Sequence, residues 1–182
     1  GAKNHCILMP DADMEMASGA ILGAGFGAAG ERCMALSVVV AVGDETADTL
    51  IASLSESISK MRVGPGIIEG PENDMGPVIS AQHKEKIVGY INTGEAQGAK
   101  LVVDGRNCKV EDHDNGFYVG ATLFDDVTPD MSIYQEEIFG PVLSVVRVPD
   151  YQTALELINS HEYGNGSAIF TRDGETARQF SE

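Results

Sequence analysis

The stretch "SVVVAV", residues 37–42, is apolar and largely β-branched at consecutive positions after its first residue, Ser37. A strand with one solvated face alternates apolar and polar residues, whereas a strand covered by helices on both faces is apolar throughout. This stretch therefore predicts a buried strand of a parallel sheet.

The segments on either side of this strand alternate between strand and helix patterns. Before it, residues 4–9 form a short apolar run, and Asp11 and Asp13 offer capping oxygens to a helix that extends to about Ala29. After it, the predicted elements are a helix over 47–61, a long loop over 63–77, a helix over 80–99, a strand over 100–104, a polar surface excursion over 105–116, a strand over 140–148, a helix over 151–160, a strand over 166–171 and the start of a helix in "GETARQFSE". This alternation predicts a layered α/β/α fold with a mainly parallel sheet.

Length and charge narrow the classes of function. The chain has 182 residues, 43% of them hydrophobic, which suits one sizeable domain or a piece of a larger one. Its net charge of −16 repels phosphate backbones and anionic lipid headgroups, so nucleic-acid and membrane-surface roles are disfavoured. Neither a signal-peptide pattern nor an apolar run of roughly 18 residues is present, so we expect a soluble intracellular protein.

The cysteines and histidines are few and scattered. Three cysteines without regular spacing and four dispersed histidines make a disulfide framework or a metal site a poor expectation. The chain opens on Gly1 without an initiator methionine and closes within a helical pattern, so we expect it to be part of a longer protein.

The loop "GAAGERCMALS", residues 27–37, makes Cys33 the candidate nucleophile. Glycines and alanines before it let a ligand approach the backbone, and the neighbouring Arg32 favours the reactive thiolate. The alternative is that Cys33 is a small buried hydrophobe, the usual role of a free cysteine. Cys6, in an apolar strand, and Cys108, in a polar loop, show no pattern beyond that alternative.

Five short motifs resemble the aldehyde dehydrogenase superfamily in order and approximate spacing. They are "GAKNHCILMPDAD", "GAAGERCMA", "DMGPVIS", "EEIFGPVL" and "YGNGSAIFT", and together they span nearly the whole chain. Within the superfamily, "GAKNH" and "GERCMALS" are most similar to its acylating, coenzyme A-dependent methylmalonate-semialdehyde branch. The common family pattern has glutamine where Glu31 stands and often "GGKSP" where this chain has "GAKNH", and both departures favour that branch.

The resemblance implies a mechanism. Cys33 attacks the aldehyde carbon, a hydride passes to NAD, and the acyl thioester left on the enzyme is transferred to coenzyme A. In this branch carbon dioxide is also lost, so methylmalonate or malonate semialdehyde yields propionyl- or acetyl-coenzyme A, as in valine catabolism. The backbone N–H of Cys33 is the family's local donor to the oxyanion. A second donor and the general-base position lie upstream of Gly1 in the family.

The resemblance also assigns roles to three further residues. Glu137 and Phe139 in "EEIFGPV" are cofactor-binding positions, at which a carboxylate accepts from ribose hydroxyls and a ring flanks the nicotinamide. Arg32 would bind the carboxylate of the semialdehyde. Without the motif, Glu137 is a solvated acid, Phe139 is a core ring, and Arg32 pairs with Glu31 or another acid.

The resemblance implies that residues 1–182 are most of a thiol-bearing catalytic domain. The NAD-binding domain and a C-terminal oligomerisation segment would lie outside the chain, so this piece alone would be inactive and the whole protein a homo-oligomer, a dimer or tetramer. We expect a bacterial cytoplasmic protein, or a mitochondrial one if the source is eukaryotic. Two alternatives stay open: a non-acylating aldehyde dehydrogenase that releases a free acid, and a non-enzymatic binding or redox-sensing domain.

Overall fold

The structure is a computed structural model that describes residues 1–67 and 72–182. In chain order its elements are β1 (Asn4–Leu8), α1 (Met14–Phe26), a 3₁₀ turn (Gly27–Gly30), β2 (Leu36–Val42), α2 (Asp44–Ser59), α3 (Ala81–Ala96), β3 (Lys100–Val103), β4 (Thr122–Asp125), α4 (Ser132–Gln135), β5 (Val142–Val148), α5 (Tyr151–Ser160), β6 (Ser167–Phe170) and α6 (Gly174–Ser181). The loop predicted over 63–77 includes residues 68–71, which lie outside the described residues.

The described strands form one six-stranded sheet in the order β3-β4-β5-β2-β1-β6. The strand pairs are parallel except β3 with β4, which is antiparallel. In the register of β2, Val39 lies between Cys6 of β1 and Val145 of β5. The predicted α/β fold with a mainly parallel sheet is confirmed.

Strand β2 is the centre of the core. Its residues Val38 to Ala41 have no exposed surface, and because successive side chains of a strand point to opposite faces, both faces of the sheet are covered here. Helices α1 and α2 pack against β2 and β5, and α5 packs against β1, β2 and β5. Each fully buried valine contributes about 1.5–3 kcal/mol relative to an exposed one.

The first helix ends earlier than its sequence predicts. The pattern predicts helix to about Ala29, but α1 stops at Phe26, and both Ala28 and Ala29 have positive φ in the turn that follows. The prediction was wrong at this end because alanine favours helix locally, whereas packing of the turn onto a neighbouring loop fixes another backbone conformation.

Strand β4 has no counterpart among the predicted elements. Its sequence "TLFD" is short and has a polar residue at each end, yet all four residues are buried. Thr122 accepts a hydrogen bond from the Gly105 N–H (3.0 Å), and Asp125 receives a two-point bond from Arg147 at 3.0 and 2.8 Å. Distant partners therefore satisfy polar groups that read locally as a loop.

The fold brings four loops to one edge of the sheet. The segments that lead into β1, β2, β5 and β6 all lie at the amino ends of parallel strands, and these strands are neighbours in the sheet. Residues from the beginning, the middle and the end of the chain therefore meet there. Among the described helices, none has the length and apolar content needed to cross a bilayer.

Candidate functional site

A cleft at this amino edge contains every site residue that the sequence predicts. It is lined by residues from three segments, 2–4, 30–37 and 137–142. Cys33, Arg32, Glu137 and Phe139 all line it, although about 100 residues separate the first pair from the second. The structure thus brings these four together, and their individual roles stay predictions.

Cys33 is the exposed thiol of the three cysteines. It follows the 3₁₀ turn and precedes β2, so it lies on a connecting loop as the sequence predicts. Cys6 is 1% exposed, and burial raises the pKa of its thiol far above the ordinary value; burial also raises the pKa of the half-buried Cys108. Accessibility therefore favours Cys33 as the nucleophile.

The backbone at Cys33 presents a free donor and a doubly bonded acceptor. Within the described part of the chain, its N–H donates to no protein acceptor, so it is available to a developing oxyanion. Its carbonyl accepts from the side-chain amides of Asn4 (3.0 Å) and Asn165 (2.8 Å).

The loop that carries Cys33 packs directly on the loop that carries Phe139. Gly30 has φ +70°, and a Cβ at this position would lie 2.1 Å from the carbonyl oxygen of Gly140. Phe139 itself has φ +58° and is 39% exposed, so its ring is not a core side chain. Because Gly30 has no side chain, the two backbones come close enough for Cys33 and Phe139 to line one cleft.

Lys3 supports the segment that precedes Glu137. Lys3 is 2% exposed, and its ammonium donates to the carbonyls of Ile133 and Glu136, each at 2.7 Å. Burial lowers the pKa of Lys3 to about 8, and the carboxylates of Glu137 and Glu136 oppose this shift. The start of β1 is thereby tied to the loop that bears Glu137.

Glu31 and His83 connect the loop that carries Cys33 with the loop that carries Phe139. Glu31 Oε1 accepts from the Ile79 N–H (3.1 Å) and lies 3.4 Å from His83 Nε2, which is also 2.6 Å from the carbonyl oxygen of Phe139. A His83 tautomer with its proton on Nε2 donates to that carbonyl.

Arg32 does not pair with Glu31, the alternative that the sequence leaves open. No described carboxylate lies within ion-pair distance of its guanidinium, which instead lies over Gly27, where an added Cβ would come within 3.1 Å of Arg32 Nη1. The charge is therefore free of those partners and lines the cleft beside Cys33. In residues 1–67 and 72–182, no group of three or more His, Cys, Asp and Glu side chains could hold a metal ion.

The sequence assigns no role in the site to four residues that the structure places around the cleft: Lys3, Asn4, His83 and Asn165. Asn165 belongs to the quoted motif "YGNGSAIFT", where a Gly-Asn-Gly sequence before a strand is a turn signal without an assigned role. His83 lies in α3, and its partners are 56 or 52 residues away along the chain, a separation at which local periodicity carries no signal.

Comparison with known proteins gives consistent results. The profile of the aldehyde dehydrogenase family matches residues 1–182. Malonate-semialdehyde dehydrogenase of Pseudomonas aeruginosa is 58% identical over 182 residues, which are 100% of this chain and 36% of that protein. A protein of Anopheles gambiae, named a probable methylmalonate-semialdehyde/malonate-semialdehyde dehydrogenase [acylating], mitochondrial, is 51% identical over 180 residues, 99% of this chain and 34% of that protein.

Solved structures agree with the sequence matches. The crystal structure of methylmalonate-semialdehyde dehydrogenase from Oceanimonas doudoroffii has a TM-score of 0.96 and 62% identity, with coverage of 100% of this chain and 37% of the other. A Sinorhizobium meliloti 1021 structure, provisionally assigned as methylmalonate-semialdehyde dehydrogenase and complexed with NAD, has a TM-score of 0.96 and 56% identity, with coverage of 100% and 36%. The chain spans little more than a third of the length of these relatives.

Proposed function

The chain belongs to the aldehyde dehydrogenase family, and from this membership we propose that it supplies the catalytic thiol of an NAD-dependent malonate- or methylmalonate-semialdehyde dehydrogenase. One observation carries the proposal: an exposed thiol, an uncommitted guanidinium, a carboxylate and a half-exposed aromatic ring line one cleft. The names of the relatives support a semialdehyde as the substrate.

Cys33 forms and carries the covalent intermediate. Its sulfur attacks the aldehyde carbon, and the backbone N–H of Cys33 stabilises the negative oxygen of the resulting thiohemiacetal. Removal of a hydride from that carbon leaves an acyl thioester on Cys33, and the acyl group then passes to the thiol of coenzyme A with release of carbon dioxide. The acylating name of the Anopheles gambiae relative supports this last step.

The residues of the cleft fit the nicotinamide end of a dinucleotide. The Glu137 carboxylate can accept from two ribose hydroxyls, and the partly exposed Phe139 ring lines the same cleft. NAD, when bound there, supplies the hydride acceptor. Lys3 and His83 hold the backbone on which these two side chains are mounted.

Arg32 gives the cleft a preference for an acidic aldehyde. A guanidinium recognises a carboxylate with two parallel hydrogen bonds, and this one has no competing described partner. We expect Arg32→Leu to raise KM for malonate semialdehyde at least tenfold. KM for propanal, which lacks a carboxylate, should stay within about twofold of the original value. An equal rise for both aldehydes would contradict the assignment.

The central experiment uses a full-length dehydrogenase that contains these 182 residues, if necessary in place of the matching segment of a relative. Reduction of NAD is followed at 340 nm with malonate semialdehyde, with and without coenzyme A, and the acyl product is identified by mass. We expect Cys33→Ser to abolish turnover, Cys108→Ser to leave it unchanged, and the product to be acetyl-coenzyme A. Full activity of Cys33→Ser refutes the catalytic assignment.

The same experiment decides between the acylating and non-acylating alternatives. Release of a free acid at the full rate without coenzyme A would identify a non-acylating dehydrogenase. Failure of Cys33 to form any acyl adduct, together with ready oxidation of its sulfur, would favour a redox-sensing domain instead. We propose a dimer or tetramer for the full-length protein, which light scattering tests directly.

A further inference from the structure

Three separate segments of the chain meet at the carbonyl of Cys33. Asn4, at the start of β1, donates one amide hydrogen to this carbonyl (3.0 Å) and the other to the carbonyl of Ala35 (2.8 Å). Asn165, just before β6, donates to the same Cys33 carbonyl (2.8 Å). Both lone pairs of that oxygen are thus used.

The backbone residue that follows Asn165 also bonds the side chain of Asn4. The Gly166 N–H donates to Asn4 Oδ1 (2.9 Å), so both the nitrogen and the oxygen of the Asn4 amide have protein partners. Asn165 Nδ2 lies 3.0 Å from the sulfur of Met34, and a Cβ on Gly166 would come within 2.5 Å of the methyl carbon of that side chain. We call Asn4 and Asn165, with the bonds they make to residues 33–35, the carbonyl clasp.

The backbone of Asn165 indicates that its side chain is retained at a cost. Its φ is +119°, a conformation that glycine adopts without strain and that other residues rarely adopt. Glycines flank it on both sides, yet an asparagine stands at the strained position. An amide that bonds the nucleophile's carbonyl accounts for keeping a side chain there.

We propose that the carbonyl clasp positions the nucleophile. Rotation of the peptide that follows Cys33 would break the bonds from Asn4 and Asn165 together, so the clasp holds the backbone of Cys33 in one conformation. The thiol and the N–H project from that backbone, and a fixed orientation of both toward the aldehyde lowers the barrier to attack. Neither asparagine bonds the sulfur, so both are positioning residues. This inference rests on the proposed function, in which Cys33 is the nucleophile.

The test uses the full-length dehydrogenase described above and three variants. Asn165→Gly removes the amide and relieves the backbone, so a fall in activity cannot come from strain. Asn165→Asp keeps the size of the side chain but points an acceptor at the Cys33 carbonyl. Asn115→Asp makes the same change at an exposed position of the polar loop before β4. Asn165 is itself exposed, so its variants are expected to fold, which circular dichroism checks.

We expect kcat to fall about tenfold in Asn165→Gly and further in Asn165→Asp, because a misplaced nucleophile slows the chemical step. KM for NAD should stay within about twofold in both variants, and Asn115→Asp should match the unchanged enzyme. If Asn165 had a merely structural role, its variants would have a lower melting temperature or less folded enzyme, and kcat per folded enzyme would not fall further in Asn165→Asp than in Asn165→Gly.

Two outcomes separate this inference from the proposed function. If Cys33→Ser is inactive and Asn165→Asp has an unchanged kcat, the carbonyl clasp is overturned and the nucleophile assignment stands. If Cys33→Ser turns over at the original rate, the proposed function fails and the clasp loses its premise. A large rise in KM for NAD with unchanged kcat would also overturn the clasp, because it would place Asn165 in cofactor binding.

Discussion

Replacing Gly30 with alanine tests the contact that joins the two halves of the cleft. The new methyl carbon would lie 2.1 Å from the carbonyl oxygen and 2.5 Å from the carbonyl carbon of Gly140. Both are backbone atoms, so no side-chain rotation relieves the overlap. The loop that carries Cys33 and the loop that carries Phe139 must separate, or one must change its backbone conformation.

The expected loss of stability has two sources. Alanine at φ +70° costs about 1–2 kcal/mol relative to glycine, because Cβ crowds the backbone in the left-handed region. Inserting a methyl group where there is no space costs roughly a further 1–3 kcal/mol. We therefore expect Gly30→Ala to lower the free energy of unfolding by about 2–5 kcal/mol, measured by urea denaturation.

Two glycines provide matched controls. Gly98 has φ +100° and no heavy atom within 4 Å of a Cβ, so Gly98→Ala carries the backbone cost alone, about 1–2 kcal/mol. Gly89 lies in helix α3 in open space, so Gly89→Ala should stabilise the protein by roughly 1 kcal/mol. If Gly30→Ala costs no more than Gly98→Ala, the close approach of the two loops is refuted.

Three further perturbations test the core and the thiols. Arg147→Met should cost about 3–5 kcal/mol of unfolding free energy in urea denaturation, because it leaves the buried Asp125 carboxylate without its two-point partner; a loss below 1 kcal/mol would contradict this. Burial lowers the pKa of His5 from 6.5 to about 4. Between these pH values the unfolded chain binds a proton at His5 that the folded chain does not bind, so the free energy of unfolding should fall by about 3 kcal/mol as the pH drops from 6.5 to about 4. His5→Phe should flatten this pH dependence, and an unchanged slope would show that other groups cause it. Iodoacetamide should label exposed Cys33 well before buried Cys6, as followed by peptide mass spectrometry; the reverse order would remove the accessibility argument.

The elements with strong local patterns could be predicted from the sequence. A run of consecutive β-branched residues specifies a strand buried on both faces, and the predicted helices and strands on either side of β2 are present with ends shifted by a few residues. Strand β4 could not be predicted in this way. The partners of its buried Thr122 and Asp125 are 17 and 22 residues away, so the local sequence does not show that these polar groups are satisfied.

The candidate site, too, could be predicted from the sequence only in part. Local composition marks the loop of Cys33, and the motif around Glu137 and Phe139 marks a second segment, because each contains its own chemically distinctive residues. That both line one cleft is a consequence of the strand order β5-β2-β1-β6, which places four amino ends side by side. Asn165 contacts Cys33 across 132 positions of sequence.

The sequence by itself determined the fold class, the family and the identity of the nucleophile candidate, because periodicity and motif chemistry are local properties. Only the tertiary structure decided which residues surround that nucleophile, that Arg32 forms no ion pair with a described carboxylate, and that Lys3 is buried. Those facts depend on the pairing of strands that are distant in the chain, and hydrogen bonds across such distances leave no periodic trace in the sequence.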